Sequence, residues 1–530
     1  MIKNNISSVN KTKIGIDNSQ LAIIIFGCLF FAWVLVRNAW AGDDSFISMR
    51  VIDNFVNGYG LVWNVGERVQ VFTHPLWVLL LIPVYKIIHD PYSSIFWVSL
   101  FLSLGTFIII LVRFANSKTK KLIVPIFLSL SAAFIDYCSS GLENPLTHFI
   151  LIVFLVIWLT ESESFGKLFV ISFLAAIATV NRYDTVLFFI PALIYSLYTY
   201  RKTFVKSIFI MLLGFLPVIL WEIFSLYYYG FLFPNTYYAK LSSVNLPANW
   251  FALHGWEYFK TSILWDPITL STIIAAIFLM IIKPNRKIIF INIGVLMYLG
   301  YVFSIGGDFM SGRFLSSTFM IMFVQIISFD YETMFKEFSV PIFSWIIIVL
   351  MLMGLASKNP PLMVTRFDQD KTITKYGIAN EKLFYFQSTS WLNRRNSTPI
   401  FIYGREGQEY RISDRKVVEH SVIGFLGYYT GPKIYIIDYF TLPDALRARL
   451  LPVEPFRIGH LHRPYPDGYV ETIKDSFNNH IKDPSLHEYY DKLDILIHQD
   501  LATHGRFQEI INFNLGKYDY LLENYSENID

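Results

Sequence analysis

Two adjacent carboxylates, Asp43 and Asp44, follow directly after a long apolar run, so they lie where the chain is expected to leave a membrane. Adjacent carboxylates raise each other's pKa, and more so when they are partly desolvated. One of the two can then take a proton from a hydroxyl group, as a general base does. The alternative interpretation is an ordinary helix start in a solvated loop, because Asp is favoured at the N-cap.

Four further loops place ionisable side chains beside apolar runs, all on the same predicted side of the membrane. These side chains are Glu143, Arg182, Asp184, Lys240, Asp308 and Arg313. An arginine fork grips a phosphate in two places, and a carboxylate can stabilise an oxocarbenium-like transition state or hold an arginine in position. Ionisable groups that face the interior of a helix bundle usually mark a site. The set therefore indicates a phosphate-containing ligand, although Lys240 alone is explained equally well as an interfacial anchor.

The composition predicts that a polytopic membrane protein carries these residues. Of 530 residues, 54% are hydrophobic and only 16% are charged, with a mean hydropathy of +0.44. Soluble domains carry about 25% charged residues. The 44 Lys and Arg nearly balance the 41 Asp and Glu, which gives no sign of a nucleic-acid partner. The sequence has no phosphate-loop motif and no dinucleotide fingerprint, and its two cysteines lie in apolar runs, which excludes a disulfide framework.

Apolar runs predict about 11 membrane crossings. The first run, Leu21–Trp40, has the roughly 20 residues that a crossing needs, and the lysines at 3, 11 and 13 place the N-terminus in the cytoplasm. The segment 75–88 is too short to cross, so we interpret it as a half-crossing or interfacial helix. The other runs are 93–115, 122–138, 146–160, 167–180, 185–199, 204–222, 263–282, 288–305, 314–329 and 339–356.

The chain changes character after residue 357. We predict a membrane bundle over 1–357, with an outer loop at 41–74, and a soluble extracytoplasmic α/β domain over 358–530. This last part has no run long enough to span a membrane. Its predicted short strands are 399–403 and 433–438, and its predicted amphipathic helices are 491–498 and 506–513.

The stretch Asp43–Val69 resembles the first external loop of the GT-C superfamily of membrane glycosyltransferases. Within that superfamily it is most similar to the mycobacterial cell-wall arabinofuranosyltransferases that add terminal β-linked residues. Further matches follow in order along the chain, at Ser140–Glu143, Tyr228–Lys240, Gly306–Phe314, Gly424–Pro432, Ile437–Asp438, Leu442–Asp444, Gly459–His460 and Arg463–Pro464. The chain departs from the family pattern at Tyr183, where proline is expected, and at His74, where a small residue is usual.

The resemblance implies an enzyme of the bacterial inner membrane that moves a sugar, first of all arabinofuranose, from a polyprenyl-phosphate donor to an extracytoplasmic glycan or glycoprotein. Asp43 or Asp44 would be the base. The donor phosphate and sugar would meet Arg313, Arg182, Lys240, Glu143, Asp308, Asp184 and His74. The acceptor would meet Tyr428, Tyr429, His460 and Arg463. No cofactor is firmly implied; the Asp pair could hold a divalent cation, whereas His460 and His462 alone make a poor metal site.

Three alternatives stay open at this point. A flippase or transporter of lipid-linked sugars would also carry charges in a bundle, but the sequence shows no internal repeat, and its charges gather at one surface. A receptor or scaffold would leave the Asp pair unexplained. A GT-C enzyme could also use mannose or aminoarabinose and act on protein or lipid A. The enzyme interpretation expects the charged loops to converge on one cavity at the outer face.

Overall fold

The computed structural model describes residues 17–160, 162–242, 246–363, 372–393 and 401–527, and it is mostly helical. The helices up to residue 265 are α1 Asn18–Asn38, α2 Asp43–Val56, α3 Pro75–Ile88, α4 Pro91–Ile109, α5 Lys118–Leu128, α6 Ala132–Tyr137, α7 Asn144–Leu159, α8 Phe165–Asn181, α9 Ile190–Thr199, α10 Phe204–Gly214, α11 Leu216–Tyr228, α12 Asn235–Tyr237 and α13 Ala248–Trp265. The later helices are α14 Pro267–Ile282, α15 Arg286–Ser304, α16 Ser316–Ser328, α17 Tyr331–Phe335, α18 Ser339–Leu355, α19 Glu381–Thr389, α20 Ile402–Arg411, α21 Gly424–Thr430, α22 Tyr469–Lys474, α23 Pro484–Ile497, α24 Arg506–Asn514 and α25 Asp519–Glu527.

Packing divides the chain into two compact units that interleave along the sequence. The first unit comprises Met1–Ala41, Ile95–Val218 and Phe251–Asn393, and the second comprises Gly42–Ser94, Ile219–Trp250 and Arg394–Asp530. The predicted boundary after residue 357 follows hydropathy along the chain. The boundaries of the two units differ from the predicted boundary because the outer loop and the segment around residue 235 pack with the C-terminal region.

Among the described residues, four helical segments can cross a membrane by length and composition alone, and up to six can if each of two bent helix pairs is one span. The four are Asn18–Asn38, Pro91–Phe114, Arg286–Ser304 and Lys336–Leu355, and the bent pairs are α10 with α11 and α13 with α14. Large apolar side chains stay exposed on these helices, such as Phe26 and Leu29 of α1, which suits a lipid environment. The count of about 11 crossings stays a prediction.

Besides the bent pairs, the predicted crossings 122–138 and 185–199 are not single α-helices. The run 122–138 is interrupted between α5 and α6, where Ser131 accepts the Phe134 N–H at 3.1 Å and caps the second helix. The run 185–199 begins as a 3₁₀ helix, Tyr183–Phe188, before α9. Polar caps that a hydropathy average overlooks account for the first interruption.

The second unit contains the strands and the short helix α3. Strands β1 (Val417–His420) and β2 (Tyr435–Asp438) pair in parallel, and β3 (Val453–Arg457) pairs antiparallel with β4 (His460–His462). A core built around Leu486, Leu493 and Leu496 of α23 fills this unit. Helix α3 has the predicted bounds, and its 14 residues give a length of about 21 Å, short of a full crossing.

The predicted secondary structure of the C-terminal region is confirmed except at one strand. Strand β2 lies within 433–438, and α23 and α24 cover the two predicted amphipathic helices. The strand predicted over 399–403 is wrong for its last residues, because α20 begins at Ile402; residues 399 and 400 lie outside the described part of the chain.

Candidate active site

Helix α2 begins at Asp43, the first residue of the Asp pair. The Asp43 side chain connects α2 to α21, another helix of the second unit. Its Oδ2 accepts the Gly424 N–H and its Oδ1 accepts the Phe425 N–H, both at 2.8 Å. These N–H groups belong to the first turn of α21, where a helix has no partners of its own for them. Asp43 therefore caps α21 from α2.

This junction requires glycine at 424. A Cβ there would lie 1.9 Å from the Asp43 carbonyl oxygen, so no larger residue fits. Burial raises the pKa of the Asp43 carboxyl to about 7, although the two backbone N–H groups act in the opposite direction. The neighbouring negative charge of Asp44 raises it further.

Asp44 has a different environment from Asp43. Its side chain is half-buried, and it accepts no hydrogen bond from the described residues. One turn further along α2, on the same face, Ser48 lies 2.7 Å from Nε2 of the buried His74. Asp44 thus offers carboxylate lone pairs on a helix, one turn before a serine that contacts an imidazole, and such a carboxylate can accept a proton.

Tyr428 and Tyr429 of α21 lie half-buried in the same unit. The Tyr428 hydroxyl is 2.8 Å from that of Tyr85, which in turn donates to the Asp53 carboxylate at 2.6 Å. Both rings pack near Phe46, at centroid distances of 5.5 and 6.2 Å. The two tyrosines are therefore fixed in place while part of each ring stays accessible.

Arg50, which is 1% exposed, was not among the site residues predicted from the sequence. Its guanidinium donates to the carbonyl oxygens of Trp63 at 2.8 Å, Gly427 at 2.6 Å and Ile434 at 3.1 Å. It also stacks on the Trp63 ring at 4.3 Å. Its one signal in the sequence is an arginine among the apolar residues of α2, and the contacts identify it as a structural residue that joins three segments.

Of the predicted acceptor residues, Arg463 is enclosed by packing, whereas His460 is half-buried and its ring lies 4.8 Å from that of Phe440. Arg463 is 0% exposed and donates to the carbonyl oxygens of Leu450 and Ala239, both at 2.8 Å. A side chain without exposed surface does not contact a ligand, so its position supports a structural role. Burial, followed by the charges of Arg457 and Lys240, lowers the pKa of His460, which keeps this ring neutral near pH 7. Lys240 thus lies in the electrostatic neighbourhood of His460.

The first unit gathers the other charged residues around Glu143, which has no exposed surface. Arg313 donates through one terminal nitrogen to both of its oxygens, at 3.0 and 3.1 Å, and Arg182 donates to Oε1 at 3.0 Å. We call Glu143, Arg182, Asp184, Asp308 and Arg313 the guanidinium cluster.

The remaining two carboxylates of the guanidinium cluster complete its charge balance. Asp184 takes a bidentate bond from Arg182, at 2.8 and 2.7 Å, and Asp308 lies 3.8 Å from Arg313. Three carboxylates against two guanidiniums leave a net charge of −1 when all are ionised. Glu143 and Asp184 are therefore placed to hold the two arginines, one of the two roles considered for acidic residues here.

Backbone contacts fix the loops that carry the guanidinium cluster. Asn144 donates to the Arg313 carbonyl at 3.3 Å, and Asn181 donates to the Glu143 carbonyl at 3.2 Å. At the position of Tyr183, where the family pattern has proline, the chain turns from an extended Arg182 into a 3₁₀ helix. The turn therefore forms without proline, and it presents Arg182 over the Phe314 ring at 4.1 Å.

No family model and no solved structure matches the chain. A curated protein of Corynebacterium glutamicum is 27% identical over 335 residues, which cover 54% of this chain and 47% of that protein. One of Mycobacterium tuberculosis is 24% identical over 536 residues, covering 83% and 84%. Both are named terminal beta-(1->2)-arabinofuranosyltransferase. This chain is related to them.

The resemblance inferred from the ordered motifs is thereby confirmed. The match spans about half the length of the corynebacterial relative and most of the mycobacterial one. The apolar helices agree with a membrane protein of this kind. The names of the two relatives describe the reaction of those proteins.

Proposed function

We propose that this protein transfers an arabinofuranosyl residue from a polyprenyl-phosphate donor to a glycan or glycoprotein outside the bacterial inner membrane. The observation that carries the proposal is the similarity to two terminal arabinofuranosyltransferases, one of them matched over most of its length. The motif order along the chain and the charged residues that terminate apolar helices support it.

In the proposed reaction, Asp44 takes the proton from an acceptor hydroxyl as that oxygen attacks the anomeric carbon. The new glycosidic bond forms while the bond from the anomeric carbon to the phosphate oxygen breaks, and polyprenyl phosphate leaves with the electron pair. A base within hydrogen-bond reach of the hydroxyl typically contributes about 10²–10⁴-fold to such a step. The transition state has oxocarbenium character, as in glycoside hydrolysis.

The choice of Asp44 over Asp43 rests on their hydrogen bonds. Both oxygens of Asp43 accept backbone N–H groups of α21, whereas Asp44 accepts none from the described residues. Asp43 is then a positioning residue that fixes the start of α2, and Asp44 is the catalytic residue. His74, held by Ser48, would orient the donor or acceptor near the same face of α2.

For the leaving phosphate we propose Arg182 and Arg313, with Lys240 as a further cation. Arg182 uses three of its five N–H groups on Glu143 and Asp184, so a phosphate can bind to the others without breaking the ion pairs. In this proposal Glu143, Asp184 and Asp308 hold and neutralise the arginines. Tyr428 and Tyr429 offer ring faces for the acceptor sugar.

The proposed architecture is a GT-C-like bundle with about 11 crossings, in which α3 lies at the interface. Its N-terminus would be cytoplasmic, and the region after residue 357 would form the extracytoplasmic domain. The short apolar helices α7, α8 and α9 would supply crossings in addition to the long ones. An apolar helix that is shorter than the bilayer is accommodated by local thinning of the bilayer.

The test uses the full chain in lipid nanodiscs with radiolabelled decaprenyl-phosphoryl arabinofuranose and an arabinan acceptor. The wild type should transfer label to the acceptor. Asp44→Asn should lower kcat by at least about 10²-fold without a change in thermal unfolding. Asp43→Asn should lower the unfolding temperature as well as activity, and Asp414→Asn, at an exposed site of the same unit, should change neither.

Three outcomes would contradict the proposal. Full activity of Asp44→Asn would remove the base. Transfer from a polyprenyl-phosphate hexose, with none from the arabinose donor, would change the sugar. Movement of the lipid-linked sugar across vesicle membranes without any transfer would favour the transporter alternative.

A further inference from the structure

Helix α24 of the second unit carries a row of large apolar side chains on its exposed side. Phe507 and Leu515 are 75% and 79% exposed, and Ile511 between them is also exposed. Spacings of four residues place these three side chains on one side of the helix, whereas Ile510 packs in the core of the unit. We call Phe507, Ile511 and Leu515 the α24 stripe. Apolar residues scattered singly over a surface need no explanation, but an aligned stripe indicates a contact surface.

Hydrogen bonds hold α24 at the end of α11. Arg506, a buried residue in the first turn of α24, donates to the carbonyl oxygens of Tyr227 at 2.6 Å and Tyr228 at 3.2 Å, the last two residues of α11. At the other end of α24, Asn514 donates to the Gly230 carbonyl at 2.8 Å. All of these residues belong to the second unit. The position of α24 is therefore fixed relative to the end of α11.

Helix α11 carries exposed apolar side chains up to this same end. Leu220, Ile223 and Tyr227 are exposed and share one side of the helix, because they are spaced three and four residues apart. Together with α10, α11 is one of the two bent pairs that can cross a membrane. The basic loop 201–206 places the start of this pair in the cytoplasm, so α11 ends at the outer face. The α24 stripe is therefore attached at the level where α11 leaves the membrane.

The chemistry of the α24 stripe selects its contact partner. None of its three side chains carries a hydrogen-bonding atom, whereas a sugar pocket needs a few fixed polar groups. Three side chains alone offer much less than the roughly 800 Å² per partner that a stable protein–protein interface buries. Lipid needs neither, and in the proposed architecture it is what the exposed side of α11 contacts. Lys517, which follows the stripe and is exposed, can reach lipid phosphates.

We propose that α24 lies in the plane of the outer leaflet, with Phe507, Ile511 and Leu515 inserted at the boundary between headgroups and acyl chains. Helices with one apolar and one polar side bind membrane surfaces in this way. The inference rests on the crossing by α10 and α11 in the proposed architecture, and not on the transfer of a sugar. In the proposed function, the contact holds the second unit at the level where a lipid-linked donor presents its phosphate.

The test places p-benzoylphenylalanine at position 507 or 515 of the full chain, reconstituted in liposomes of phosphatidylethanolamine and phosphatidylglycerol. Mass spectrometry of the intact protein identifies the product after irradiation. Each position should yield an adduct of one phospholipid. The same amino acid in place of Ile223 of α11 should also yield a lipid adduct, which checks the crossing itself. Neither donor nor acceptor is present, so the result does not depend on transfer activity.

Glu488 of α23 is the matched control position. It is also exposed on a helix of the second unit, but Asp491, its exposed neighbour one turn further along, is charged, so lipid adducts should be lost at 488. Lipid adducts at 223 with none at 507 and 515 would overturn the contact and leave the crossing standing. Crosslinks from 507 and 515 to a second copy of the chain, or equal yields at 488 and 507, would also overturn it. No lipid adduct at 223 would remove the crossing on which the inference rests.

Discussion

Buried arginines are held in opposite ways in the two units. In the first unit, Arg182 and Arg313 are paired with carboxylates and each side chain keeps 11% of its surface exposed. In the second unit, Arg50 and Arg463 have 1% and 0% exposure and donate mainly to backbone carbonyl oxygens. In the first unit the positive charge of arginine is balanced by carboxylates. In the second unit it is surrounded by the dipoles of backbone carbonyl groups.

The difference separates residues that can serve a ligand from those that serve the fold. A carboxylate partner can share a guanidinium with an incoming phosphate, because an arginine has more N–H groups than one carboxylate uses. A guanidinium whose donors connect three backbone segments cannot turn toward a ligand without breaking those connections. The two kinds of arginine cannot be distinguished in the sequence, since each is an arginine near apolar residues.

The largest effect is expected at Glu143 of the first unit. Glu143→Gln keeps the shape but removes the negative charge between two buried guanidiniums. Removal of one partner of a buried pair typically costs about 3–5 kcal/mol, because the remaining charge is uncompensated. We expect a loss of that order in the free energy of unfolding, measured by SDS titration in mixed micelles, together with loss of sugar transfer.

The matched control in the same unit is Glu257→Gln. Glu257 pairs with Lys260 at 3.1 Å, and that lysine is half-exposed. A pair of this kind contributes about 0–1 kcal/mol. Equal effects of the two substitutions would show that the guanidinium cluster is no more than a surface ion pair.

The second unit is tested at Arg50. Arg50→Lys preserves the positive charge but replaces a planar fork by a compact ammonium, which cannot reach the carbonyls of Trp63, Gly427 and Ile434 together or stack on the indole. Each buried group left without a partner costs about 1–3 kcal/mol. We expect a decrease of about 2 kcal/mol in the free energy of unfolding, a smaller effect than that of Glu143→Gln.

Arg415→Lys is the control for Arg50. Arg415 is exposed and stacks on Tyr410 at 5.3 Å, so its replacement should change the free energy of unfolding by less than about 0.5 kcal/mol. A lysine at 50 that is tolerated as well as the one at 415 would mean that the carbonyl contacts of Arg50 contribute little.

Reasoning from the sequence predicted the secondary-structure elements more accurately than it predicted the contacts between side chains. Apolar periodicity predicted α1, α3, β2 and α24 because each is defined by a continuous local pattern. The break between α5 and α6 was missed because two serines offer caps that an average over 17 residues does not register. Helix α20 was read as a strand because its first residues are β-branched or aromatic.

Prediction of the candidate site from the sequence has a similar limit. Ordered motifs identified Glu143, Arg182 and Arg313 as charged residues beside apolar helices, and the structure brings these three together. The same motifs selected Arg463 and assigned no role to Arg50, although both side chains are buried and donate to backbone carbonyl oxygens. Burial and hydrogen-bond partners depend on segments hundreds of residues apart, as in the contact of Lys382 with Asp136, and no local pattern encodes them.

The smallest expected effect is a dependence of protein stability on pH, caused by buried carboxyl groups of the second unit. Burial raises the pKa of Asp43 and Asp438 to about 7 and that of Glu67 to about 8. For an acid whose pKa is higher in the folded than in the unfolded state, the folded state binds more protons between the two values. The stability that these protonated groups contribute is complete below pH 3.8 and is lost as pH rises through 7 to 8.

The unfolding temperature should therefore fall by a few degrees between pH 5.5 and pH 8.5, followed by circular dichroism in detergent. Asp43→Asn should unfold at a lower temperature overall, because an amide nitrogen would face a backbone N–H of α21, but its dependence on pH should be weaker. Asp414→Asn should keep the slope of the wild type. An unfolding temperature that rises over this interval, or an unchanged slope in Asp43→Asn, would show that the Asp43 carboxylate is stabilised by α21 more than it is destabilised by burial.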